Sequence, residues 1–206
     1  RPYRETPIFT EDMQYLVFFP YWNVPYSIAV KDKLPLLRQD PAPLAAAGYQ
    51  ARLAGSQEFV PVTEVDWQTV RPGQFTLRQL PGDHNALGKV KFMLPNQHSV
   101  YLHDTPDKAL FRKSERTFSS GCIRLAEPRK LIEWVLNHDK SNYLTQVDRL
   151  FESGETTTAY LKDPIPVYLV YFTAFAVGDD VVFRRDVYGR DQRIVDQLRE
   201  AGKSRV

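Results

Sequence analysis

The sequence predicts a mixed α/β domain, dominated by β-strands, with helices at its periphery and an inserted segment. Three observations carry this reading. Aromatic and β-branched residues gather in short runs, as in Tyr15-Leu16-Val17-Phe18-Phe19-Pro20-Tyr21-Trp22, and such runs suit pleated, half-buried surfaces. Three segments in the second half repeat apolar residues at helical spacing. Between residues 33 and 86, regular signals give way to six prolines and four glycines.

Residues from about 13 to 30 read as strand material, interrupted at Pro25 and resuming at Ser27-Ile28-Ala29-Val30. The 33–86 stretch keeps only short periodic pieces, such as Val60-Pro61-Val62-Thr63 and Phe75-Thr76-Leu77. It reads as an insertion or lid within a catalytic domain spanning 1–206. Lys89-Val90-Lys91-Phe92-Met93-Leu94 alternates as a strand and is stopped by Pro95-Asn96. Val100-Tyr101-Leu102-His103 forms a second, shorter strand, which places His103 at a strand end. A helix follows, with Pro128 in its first turn and Leu131, Ile132, Val135 and Leu136 as its apolar stripe. Another starts near Ser141 and stops before Gly154. Pro166 to Val177 reads as one long buried strand, turned at Gly178-Asp179-Asp180 into a partner at Val181-Val182-Phe183. Asp191 to Gly202 closes the chain as a helix with Ile194, Val195 and Leu198 on one face.

With 206 residues the chain is long enough for a sizeable core. Its formal charge of +2, with acidic and basic residues interspersed, gives no argument for a nucleic-acid partner. No run of apolar residues reaches the length of a membrane span. One cysteine excludes an internal disulfide. The abrupt start at Arg1-Pro2-Tyr3, without a methionine, reads as a fragment of a longer protein.

That cysteine, Cys122, lies in Thr117-Phe118-Ser119-Ser120-Gly121-Cys122-Ile123-Arg124-Leu125, and His103 precedes it by 19 positions. A lone cysteine is most often a small buried hydrophobe. Ser-Ser-Gly, however, is loop composition, and an imidazole upstream supplies a base for a thiol nucleophile. Gly121 permits a close turn, so the amides of Gly121 and Cys122 are candidates for oxyanion donors. Ser119 and Ser120 are placed to hold the loop by local hydrogen bonds. If the backbone is extended after Cys122, Arg124 shares the side of the sulfur. There it orders the loop or holds a substrate carboxylate; its alternative is a surface ion pair. Tyr101, two residues before His103, faces the same side. Tyr21 and Trp22 are either walls of a site or core residues. His84, His98 and His138 are weaker candidates, and none has metal-ligand spacing to another histidine or to Cys122.

With both segments placed, the chain resembles the L,D-transpeptidases of bacterial cell walls, the YkuD-type catalytic domain. That family carries a His-Gly-Thr-like segment and then Ser-His-Gly-Cys-hydrophobic-Arg. The matching positions are His103, Thr105, Ser119, Gly121, Cys122, Ile123 and Arg124. Asp104 stands where glycine is usual and Ser120 where histidine is frequent. These departures, with the segments 20–28 and 85–92, look most like the YcbB subgroup, which has a capping subdomain inserted in the catalytic domain.

The resemblance implies a YkuD-like β-sandwich or barrel core and acyl transfer in the periplasm, with a membrane anchor ahead of residue 1. Cys122 attacks the diaminopimelate–D-Ala bond of a tetrapeptide stem, His103 passes a proton to the leaving D-Ala, and a second stem's amine forms a 3→3 cross-link. A backbone carbonyl is expected to orient the histidine. The resemblance also implies acylation by carbapenems, no metal or organic cofactor, and contact with other wall-synthesis proteins. The rivals are a cysteine peptidase acting on the same peptides and a non-catalytic wall-binding module. The order histidine then cysteine argues against the first, and retention of Cys, His, Gly and Arg together argues against the second.

Overall fold

The computed structural model describes residues 5–203; the ends of the 1–206 span lie outside the described residues. A central five-stranded sheet has the order β8-β7-β6-β1-β9. Its strands are β1 (Phe9–Phe18), β6 (Val90–Met93), β7 (Leu102–His103), β8 (Ile123–Arg124) and β9 (Thr157–Leu169). Four intervening strands, β2 (Trp22–Asn23), β3 (Tyr49–Leu53), β4 (Val60–Pro61) and β5 (Phe75–Gln79), form a second sheet ordered β2-β5-β3-β4. β10 (Ala174–Val177) and β11 (Asp180–Phe183) make a separate two-stranded ribbon. The helices are α1 (Tyr26–Ile28), α2 (Leu34–Gln39), α3 (Ala42–Ala46), α4 (Pro128–His138), α5 (Val147–Ser153) and α6 (Arg190–Lys203).

The period of two in β1 and β6 explains the central sheet. Leu16, Phe18, Val90 and Phe92 are fully buried and share one apolar cluster with Ile132, Val135 and Leu136 of α4. One face of the sheet therefore packs on the helical stripe, and the alternate positions, including Tyr15, Val17 and Lys91, occupy the other face. Phe151 of α5 meets Phe18 edge-to-face at 5.7 Å. Gly154 then ends α5 in the left-handed conformation, φ +66°. Truncating Ile132 to alanine costs about 2–5 kcal/mol, the usual range for a buried aliphatic side chain.

The second sheet has its own core. Tyr49, Ala51, Phe75 and Leu77 turn inward onto Leu34, Leu37, Leu44 and Trp67. Trp22 packs on this cluster, edge-to-face with Tyr49 at 6.2 Å. Tyr21 is partly exposed beneath the guanidinium of Arg78, 5.0 Å from the ring centre. A polar knot joins the two sheets. The buried Asn85 side-chain amide donates to the carbonyls of Pro20 (3.0 Å) and Leu80 (2.9 Å), and its oxygen accepts Leu87 N–H (2.8 Å). Gln79, equally buried, donates to the carbonyls of Ala47 and His84 and accepts Ala86 N–H.

Two element expectations change. Ser27–Val30 is not a strand: α1 runs through a π-turn at Ala29–Lys33 into α2. Pro25 starts the turn, its carbonyl accepting the amides of Ile28 and Ala29. Leu34 and Leu37 then bury on the second core at helical spacing, so packing overrides the β-propensity of Ile28 and Val30. The π-turn ends just before Pro35, which has no N–H to continue the α-helical ladder.

The long strand expected at 166–177 is also redrawn. β9 begins at Thr157, pairs with β1 on both sides of a bulge at Met13/Tyr15, and ends at Leu169. Its outer residues are open to solvent, Tyr168 at 68%. The apolar run after Leu169 leaves this sheet to form the ribbon with β11.

Candidate active site

The expected site residues converge at the β8 edge of the central sheet. β7 pairs antiparallel with β6, setting Lys91 opposite His103. β7 also pairs in parallel with β8, setting Leu102 beside Ile123 and His103 beside Arg124. Ile123 N–H donates to Tyr101 O (3.1 Å) and Leu125 N–H to His103 O (2.8 Å). A parallel pair needs a long crossover, and the loop from Asp104 to Cys122, with a short 3-10 turn at Lys108–Arg112, supplies it. Side chains at paired positions, and at every second residue of a strand, share a face. Lys91, Tyr101, His103, Cys122 and Arg124 therefore form one array, on the face opposite the apolar cluster.

His103 is 5% exposed. Its Nδ1 hydrogen-bonds the backbone carbonyl of Asp104. A carbonyl only accepts, so Nδ1 carries the proton and Nε2 keeps the lone pair of a base. The ring meets Tyr101 edge-on at 5.9 Å. Burial pushes the imidazole down from 6.5 to about 4; the hydrogen bond to Asp104 opposes this, while Arg124 and Lys108 add to it. At neutral pH His103 is an uncharged base. The other three histidines are exposed, and His138 stacks on Trp134 at the end of α4.

Burial pushes the Cys122 thiol upward. The Tyr101 backbone and the Lys91 ammonium oppose that shift. Lys91 sits 5.6 Å from the centre of the Tyr101 ring and is itself pushed down by burial. Near neutral pH the two groups are thus a neutral thiol and a neutral imidazole. The sulfur rests 3.8 Å from Ser99 O. Ser99 is in the left-handed region at φ +53°, in a turn held by Asn96, whose side-chain oxygen accepts the amides of His98 and Val100.

The loop before the sulfur depends on its glycine. Gly121 has φ +116°, a conformation that side chains rarely adopt. Its N–H donates to Ser119 Oγ at 3.3 Å, leaving the Cys122 amide as the other candidate oxyanion donor. Ser120 is exposed. Arg124 is half-buried, and its Nε is buried with no hydrogen-bond partner among the described residues.

Thr105 is buried away from the cavity, and its hydroxyl accepts Asp107 N–H (3.2 Å), ordering the turn after the histidine. Trp22 lies in β2 of the second sheet with Tyr21 just ahead of it, and neither lines the cavity.

A cavity of about 260 Å³ opens beside Cys122, Ser119 and Arg124 and is lined also by Phe118, Arg116 and Tyr188. Among the described residues, no group of three or more His, Cys, Asp or Glu could hold a metal ion. No helix there is long and apolar enough to cross a membrane.

Three further residues, Lys91, Asp104 and Lys108, support the site. Lys91 was legible only as a strand residue; the outward phase of Val90-Lys91-Phe92 puts it on the site face, but its pairing with His103 is a matter of register. Asp104 and Lys108 form a clip. Asp104 accepts Lys89 N–H at 2.9 Å and pairs with Lys108 Nζ at 2.6 Å. Lys108 also donates to the carbonyls of Leu125 and Ala126, both at 3.0 Å, tying the end of β7 to the end of β8.

Residues 1–181 match the model of the YkuD family, the L,D-transpeptidase catalytic domain. A Haemophilus influenzae protein provisionally named an L,D-transpeptidase is 32% identical over 192 residues, covering 93% of this chain and 39% of that protein. The chain therefore spans about two fifths of that relative's length.

Proposed function

We propose that this chain, which belongs to the YkuD family of L,D-transpeptidase catalytic domains, cross-links peptidoglycan stem peptides by acyl transfer through Cys122. The observation that supports this most is the register of β6, β7 and β8. It sets the thiol, a buried neutral imidazole oriented by a backbone carbonyl, and a guanidinium with donor capacity on one face, and of these the thiol and the guanidinium line the cavity.

In the proposed reaction, His103 Nε2 takes the thiol proton while the sulfur attacks the carbonyl between diaminopimelate and D-Ala. The Cys122 amide receives the developing oxyanion. The C–N bond breaks, D-Ala leaves with the proton from His103, and a thioester remains. The amine of a second stem's diaminopimelate then attacks, His103 accepts its proton, and the thiol is regenerated with a 3→3 amide formed. Arg124 holds a stem carboxylate, for which a guanidinium offers a bidentate partner. Carbapenems acylate the same sulfur. The substrate places the reaction in the periplasm, alongside other wall-synthesis proteins. The segment 33–86 acts as a cap that keeps water from the thioester, consistent with the separate core it builds together with residues 22–30.

Incubation with a disaccharide-tetrapeptide and an acceptor amine tests this. The expected products are D-Ala and a new amide. Production of shortened stem alone would mean that water is the acceptor and the enzyme a peptidase.

A further inference from the structure

We infer that Thr6 is a positioning residue for the Cys122 amide, and that a clamp after the family-matched stretch holds it there. The inference rests on the reading of Cys122 as an acyl-transfer nucleophile. Thr6 Oγ1 donates to Gly121 O at 2.9 Å. Within a trans peptide the C=O and the following N–H point in opposite directions. The hydroxyl that fixes the Gly121 carbonyl therefore also fixes where Cys122 N–H points. Gly121, at φ +116°, has no side chain to choose that peptide plane, so an external anchor decides it. Accepting a hydrogen bond at the carbonyl also strengthens the N–H of the same peptide as a donor.

Thr6 is held by residues outside the matched span of 1–181. Its N–H donates to the Tyr188 hydroxyl at 3.4 Å, and its carbonyl accepts from Arg190 at 3.1 Å. Arg190 pairs with Glu5 at 3.0 Å and lies over the rings of Tyr171 (4.9 Å) and Tyr188 (5.3 Å). Thr6 and Tyr188 both line the cavity.

Two reagents separate positioning from general damage. p-Nitrophenyl acetate acylates the thiol through an oxyanion, whereas iodoacetamide alkylates it by displacing iodide at a saturated carbon and forms none. Thr6→Val is expected to slow ester acylation about tenfold, less than the roughly 10²-fold or greater loss on deleting an oxyanion donor outright. Its iodoacetamide rate and pH profile stay those of the parent, Thr6→Ser restores acylation, and Arg190→Ala gives a smaller loss. Parent-like acylation by Thr6→Val, or equal losses with both reagents, overturns the inference. Thr6→Ala is the second variant, read against the same outcomes. The ester is not a wall peptide. A parent protein that takes the ester but leaves tetrapeptide intact overturns the substrate reading and leaves the role of Thr6 standing.

Discussion

Burial of His103 keeps its imidazole neutral down to about pH 4, so acid is the direction in which this site is destabilised. The folded-state value lies below the ordinary 6.5, and between those limits the unfolded chain binds a proton that the folded chain refuses. Stability is lost as pH falls from about 6.5 towards 4, by an amount on the order of 3 kcal/mol. His103→Gln is expected to flatten that part of the dependence in urea unfolding measured at pH 7 and pH 4.5. An unchanged pH slope would mean that the imidazole is not buried as described. Lys91 acts on the partner group: its ammonium opposes the upward push on the thiol. Lys91→Met should move the pH profile of iodoacetamide alkylation to higher pH and slow the reaction at pH 7.

At this scale much was legible. Ser-Ser-Gly marked Cys122 as a loop residue, a strand end placed His103, and alternation put Arg124 on the side of the sulfur. Lys91, Thr6 and Tyr188 reach the site through pairing between distant segments, which no local pattern encodes.

The two-residue strands β7 and β8 are too short to hold the site by their ladder alone, and the Asp104–Lys108 clip supplements them. That clip occupies space that only glycine leaves at position 88. A Cβ on Gly88 would lie 2.3 Å from Asp104 Oδ2, and φ there is +61°. Gly88→Ala should lower the melting temperature, and Asp104→Gly should recover part of the loss when combined with it. Strict additivity of the two changes would show that they do not compete for this space. The sequence exposed Asp104 as a departure from the family pattern, but not its fit over Gly88. Element by element, the α4 stripe and the closing helix were readable because their period is long and regular. β8 was not, because two residues carry no period. The β9 bulge was not either, because a bulge shifts the alternation that would announce it.

Across the whole molecule, the second sheet and its core meet the catalytic sheet at Asn85 and Gln79. Asn85→Ala leaves buried carbonyls unpaired at this joint and should cost about 1–3 kcal/mol in denaturant unfolding. A loss within about 0.5 kcal/mol, as for an ordinary surface change, would show that Asn85 does not hold the two sheets together. Proline and glycine density marked this stretch as different from its surroundings, but not its separate apolar core, whose Leu34, Tyr49, Val62 and Phe75 are scattered in sequence. In the proposed reaction the sulfur of Cys122 is the acyl carrier. Intact-protein mass spectrometry after brief exposure to a disaccharide-tetrapeptide tests that most directly. The predicted result is a mass increase equal to the disaccharide-tetrapeptide less one D-Ala, with D-Ala released, and neither event in Cys122→Ala. The same adduct on Cys122→Ala, or D-Ala release from that variant at the parent rate, would contradict it.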